Sequence, residues 1–137
     1  MTVRLVTPTG IRPLDAKVVN SAVSNVANGV VIDTDGDALI AAVADRPGGI
    51  VVDAIPTDGK PRFYRLATSG DMIHDDALTS QTEGVLIWSD GDGTYSVTKP
   101  TAGAADTMRW TLGYITSSDA LGTYIRLDIL PNTDGAT

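Results

Sequence analysis

The feature that most constrains this chain is its punctuation. Fourteen glycines and seven prolines are spread along 137 residues and separate short apolar runs. Val30-Val31-Ile32, Ile50 to Ile55, Phe63 to Leu66, Val85 to Trp88 and Tyr124 to Leu130 have the length and composition of β-strands. Thr94 to Thr98 and Arg109 to Ile115 are weaker runs of the same kind. In the segment from Tyr124, residues Tyr124, Arg126 and Asp128 alternate with Ile125, Leu127 and Ile129, which predicts one solvent face and one core face. Thr57-Asp58-Gly59-Lys60-Pro61 and Ser89-Asp90-Gly91-Asp92-Gly93 have turn chemistry, and the second reads as the loop of a hairpin. Strands at roughly ten-residue spacing with such turns predict an all-β, mainly antiparallel domain, a sandwich or a barrel.

One short helix is expected within it. Asp37 to Asp45 holds four alanines with Leu39, Ile40 and Val43, with Asp37 as N-cap and Arg46-Pro47-Gly48-Gly49 as its stop. Asp15 to Asn28 places Val18, Val19, Ala22, Val23 and Val26 at helical spacing. Its Val, Asn and Ser content suits a helix poorly, so a strand or extended arm stays open there. Residues 1–13 are expected to form an extended N-terminal arm, residues 14–130 a single β-rich domain, and residues 131–137 a flexible tail.

Composition bounds the partners. The net charge is −7, and the ten basic residues are scattered; Arg62 and Arg65 are the nearest to a cluster. A nucleic-acid backbone or an anionic membrane requires clustered Lys and Arg, so neither is expected as a partner. No cysteine is present, which removes disulfides and thiolate metal sites. No apolar run is long enough for a secretion signal or a bilayer span.

No catalytic constellation stands out, and no cofactor is expected. His74 is the only histidine, beside Asp75 and Asp76, and no serine lies in a Gly-x-Ser-x-Gly turn. His74 therefore reads as a surface-loop residue near Gly70-Asp71. Asp33, Asp35 and Asp37 open like a calcium loop. The positions that should hold Gly and Glu hold Ala38 and Ala44, so the match fails. Asp90 and Asp92 are acidic in the same way, and turn chemistry explains both groups. Seventeen carboxylates offer no pair to single out for glycoside hydrolysis. Trp88 and Trp110 lie inside apolar runs and read as core or interface anchors, with sugar stacking the lesser use.

The second half carries a resemblance. Glu83-Gly84-Val85-Leu86-Ile87-Trp88 leads through Asp90-Gly91-Asp92-Gly93 into Thr94-Tyr95-Ser96-Val97-Thr98. Lys99-Pro100-Thr101, Thr111-Leu112-Gly113-Tyr114-Ile115 and Gly122 to Ile129 follow. This order over residues 70–130 resembles the decoration (cement or head-stabilising) proteins of tailed bacteriophages. The resemblance rests on scaffold positions, so it transfers no site residue. It implies a non-enzymatic capsid accessory subunit, assembled in the host cytoplasm and placed on the virion exterior. Its implied partners are the major capsid protein and copies of itself, as a homotrimer. The alternative expectation is a receptor- or glycan-binding domain of a phage fibre or tail tip. Aromatic and Arg side chains are enriched in interface hot spots. The interface candidates are therefore Trp88, Trp110, Tyr95, Tyr114, Tyr124, Arg62 and Arg65.

Overall fold

A computed structural model of the chain describes residues 3–7, 14–18, 29–33, 41, 45–52, 62–91, 93–100 and 108–132. These form ten strands: β1 (Val3–Thr7), β2 (Leu14–Val18), β3 (Val31–Asp33), β4 (Pro47–Val51), β5 (Arg62–Ala67), β6 (Met72–Asp75), β7 (Leu86–Gly91), β8 (Thr94–Ser96), β9 (Arg109–Asp119) and β10 (Gly122–Asn132). One sheet has six strands in the order β1-β6-β10-β9-β7-β8, the other four in the order β2-β5-β4-β3. Every pairing is antiparallel.

The two sheets share one core. Val3, Ile73, Ile87, Leu112, Ile115, Ile125 and Leu127 of the larger sheet cluster with Val31, Ile50 and Ala67 of the smaller. All are buried, and alternation explains how strands bury one face only. The architecture is all-β and antiparallel, as the sequence predicts, and of the two forms left open there, two sheets around one core fit the sandwich. Leu112 and Ile115 both reach this core although they are three residues apart. Opposite Ile87 and Trp88, β9 offers Gly113 and Thr111, so Leu112 is the extra residue of a bulge and turns inward.

Two glycines let the backbones approach. A Cβ at Gly113 would collide with the Arg126 carbonyl across the β9–β10 ladder, and one at Gly49 with the Ala67 carbonyl of β5. The second contact explains a departure from expectation. Pro47-Gly48-Gly49, read from sequence as a stop, begins β4, because only a residue without a side chain fits against β5 there.

Other departures have similar causes. The helix expected over Asp37 to Asp45 fails at Ala41, which is not helical. Its N–H donates to the Val31 carbonyl at 3.2 Å and so is not available to a carbonyl four residues back. Asp45 is not helical either, and the rest of that segment lies outside the described residues. Leu14–Val18 is a strand, so the helical alternative for Asp15 onward fails at its first residues. Within the expected N-terminal arm, Val3–Thr7 is docked as an edge strand on β6, with Val3 fully buried; the rest of residues 1–13 lies outside the described residues. His74 is no loop residue: it lies in β6, between β1 and β10. Strand β10 runs on through Pro131 and Asn132, two residues into the expected tail.

Candidate interaction surface

Residues in register across a sheet share a face. On the outer face of the six-stranded sheet, Arg4, His74, Tyr124 and Ser117 form one row across β1, β6, β10 and β9. Met72, Arg126, Tyr114 and Leu86 form the next, across β6, β10, β9 and β7. Leu130, Thr111, Trp88 and Ser96 form a third.

This face is more apolar than an unpartnered sheet face needs to be. Leu86 is 42% exposed, its register neighbour Tyr114 41%, and Leu130 50%. Exposed apolar side chains are ordinary singly but informative when contiguous. Cations border them. Arg4 is exposed, and Arg126 is half-buried with one guanidinium N–H donated to the Gly70 carbonyl at 2.9 Å. His74 packs edge-on against Tyr124, ring centroids 4.7 Å apart, and leans on Gly122, where a Cβ would strike its ring.

Part of the third row is closed. Trp88 is only 7% exposed, and the Lys99 ammonium sits 5.8 Å above its ring. The segment after β8 is tied down by the buried Arg109, whose Nε donates to the Pro100 carbonyl at 2.7 Å. Trp110 is half-buried, with the Arg46 guanidinium 5.9 Å from its ring. Trp88 thus offers no bare face, and Trp110 carries a cation over its ring.

The sequence candidates thus separate. Tyr114 lies on the open face, and Tyr124 lies beside it with one edge against His74. Trp88 is covered, and Trp110 is half-buried beside Arg46. Tyr95 points inward, packs against the core and donates its hydroxyl to Asp75 at 2.6 Å. Burial and the neighbouring carboxylates of Asp75 and Asp76 push its phenol well above the usual tyrosine range. The side chains of Arg62 and Arg65 lie outside the described part, as do those of Asp33, Asp35, Asp37 and Asp92. Leu86, Leu130, Met72 and Arg4 are the members that sequence reading missed. Continuing the alternation of Tyr124, Arg126 and Asp128 by one step would have found Leu130.

Among the described residues, no triad forms around His74. It faces outward, whereas Asp75 faces inward, 2% exposed, accepting from Tyr95 and from the Ala77 N–H at 2.9 Å. Among the described residues, no group of three His, Cys, Asp or Glu side chains is placed to hold a metal ion. A shallow cleft of about 310 Å³ lies between Arg46, Pro47, Gly48, Thr68, Ser69 and Ile129. No helix among the described residues is long and apolar enough to cross a membrane.

Comparison with family models, curated proteins and solved structures finds no match to this chain.

Proposed function

We propose that this protein is a virion structural subunit that binds the outer surface of a tailed-phage head and stabilises it, in the manner of decoration proteins. The observation that carries the reading is the open, largely apolar row Met72-Arg126-Tyr114-Leu86 with Leu130 beside it, on a rigid sheet. Such a surface suits docking on a protein partner. The segment that resembles decoration proteins supplies β6 to β10, five of the six strands that present this face. The net charge of −7 suits a subunit held outside the shell, away from the packaged genome. Many weak copies on one lattice would bind by avidity.

The alternative is a glycan-binding domain of a fibre or tail tip. It depends on bare aromatic platforms, and Trp88 and Trp110 lie under Lys99 and Arg46. That weighs for the capsid reading.

The test is co-sedimentation of the purified full chain with assembled heads of the phage that encodes it. Saturable pelleting with heads, weakened at least tenfold by Tyr114→Glu, supports the reading. A chain that stays in the supernatant beside intact, undecorated heads overturns it.

A further inference from the structure

The outward residues of β10 are Tyr124, Arg126, Asp128 and Leu130, because Ile125, Leu127 and Ile129 pack on the core. This series has a simple symmetry. Its ends are apolar, and its middle is a cation followed by an anion. Turned end over end, the series is its own complement. As far as Arg126, β10 lies between β6 and β9; Asp128 and Leu130 carry this outward stripe on beside β9, past the end of β6 and across an irregularity in the β9–β10 ladder. Asp128 is exposed and Leu130 is half exposed. Arg126 has one hydrogen bond to Gly70, which leaves guanidinium donors for a carboxylate. Tyr114 and Leu86 extend the apolar surface on one side and Met72 on the other.

We propose that two copies of this chain pair face to face through this stripe, about a two-fold axis that crosses β10 between Arg126 and Asp128. Arg126 of each copy meets Asp128 of the other, and Tyr124 of each covers Leu130 of the other. A two-fold interface makes every contact twice, so two ion pairs and two aromatic–aliphatic contacts come from four residues. Facing sheets pack about 10 Å apart with strands within about 30° of alignment, which keeps the two stripes in contact over four outward residues. A second copy is the occupant because it carries the opposite charge at both points in the required spacing. Nucleic acid or an anionic bilayer would meet Asp128 and a chain of net charge −7. The pairing does not depend on the capsid reading, but it covers the same face, so self-pairing and head docking exclude one another on a given chain; it also differs from the three-fold assembly that the resemblance implies.

The test is the mass of the full chain in solution, by light scattering at about 0.1 mM, well above micromolar dissociation constants. The expected mass is twice the 14.3 kDa of one chain. Arg126→Asp and Asp128→Arg each place like charges across the axis, and each weakens the dimer at least tenfold. The double swap, Arg126→Asp with Asp128→Arg, restores it. Circular dichroism checks that each variant is folded. If a single swap fails to fold, Leu130→Glu replaces it and must also give a monomer. A wild-type monomer or trimer overturns the pairing. So does a dimer indifferent to the single swaps, or a folded double swap that stays monomeric.

Discussion

The Tyr95 hydroxyl and the Asp75 carboxylate meet at 2.6 Å although three strands, β10, β9 and β7, separate their own strands in the sheet. In a flat sheet four strand spacings amount to about 19 Å. No tyrosine spans that, so the six-stranded sheet curls until β8 approaches β6. Twist and coiling of this hand are intrinsic to strands, and the bulge at Leu112 adds to them. The bond ties the short edge strand β8 to the far side of the core.

Tyr95→Phe should therefore destabilise the fold by about 1–3 kcal/mol, because it leaves a buried carboxylate oxygen without its donor. Urea unfolding followed by tryptophan fluorescence measures this. A loss below about 0.5 kcal/mol, the range of an ordinary surface substitution, would mean that the bond contributes little.

The same pair sets an alkaline limit. The folded phenol titrates above its unfolded value, so the protonated form is favoured by folding. That contribution is fully present below about pH 10, the unfolded value, and is lost as pH rises beyond it. Wild-type stability should fall above about pH 10 more steeply than that of Tyr95→Phe. Phenolate absorbance should show the last tyrosine ionising together with unfolding. Parallel pH curves for the two proteins would contradict this.

The Lys99–Trp88 contact predicts a spectroscopic change. Lys99→Ala should expose the indole, shift its emission to the red and raise acrylamide quenching, at a stability cost of about 0.5–1 kcal/mol. A Trp110→Phe background isolates the signal. Unchanged quenching would show that other atoms close the site.

Among the described residues, the buried Ser89 hydroxyl, on β7 opposite Tyr95, has no hydrogen-bond partner. Ser89→Ala should be neutral or stabilising by up to about 1 kcal/mol, since it removes an unmet desolvation cost. Thermal unfolding tests it, and a clear loss would point to a water held there. By contrast, Ile125→Ala, in the fully buried core, should cost about 2–5 kcal/mol.

Much of this fold is readable from local pattern. The alternation from Tyr124 to Ile129 specifies both faces of β10, and the Asp-Gly turn after Trp88 specifies the β7–β8 hairpin. What escapes the pattern depends on distant partners. Met72-Ile73-His74-Asp75 is short and half polar, and it is a strand because β1 and β10 flank it. Pro47-Gly48-Gly49 has turn composition, and it is a strand because β5 comes too close for side chains. The face divides the same way. Tyr114 and Tyr124 were visible as aromatic residues in strands, but the inward course of Tyr95 follows from the curl of the sheet. The covering of Trp88 follows from where Lys99 returns, which no local spacing encodes.

The position of β10 also dictates an order of events during synthesis. It is the last of the ten strands to leave the ribosome, yet it fills the slot between β6 and β9. Until it arrives, β1 can pair with β6, and β9 with β7, but these two pairs have no common ladder. Closing it joins segments that are far apart in sequence, a slow step for β-proteins. The nascent chain therefore holds unpaired strand edges of β6 and β9 until β10 is free, and in that interval it is open to mispairing.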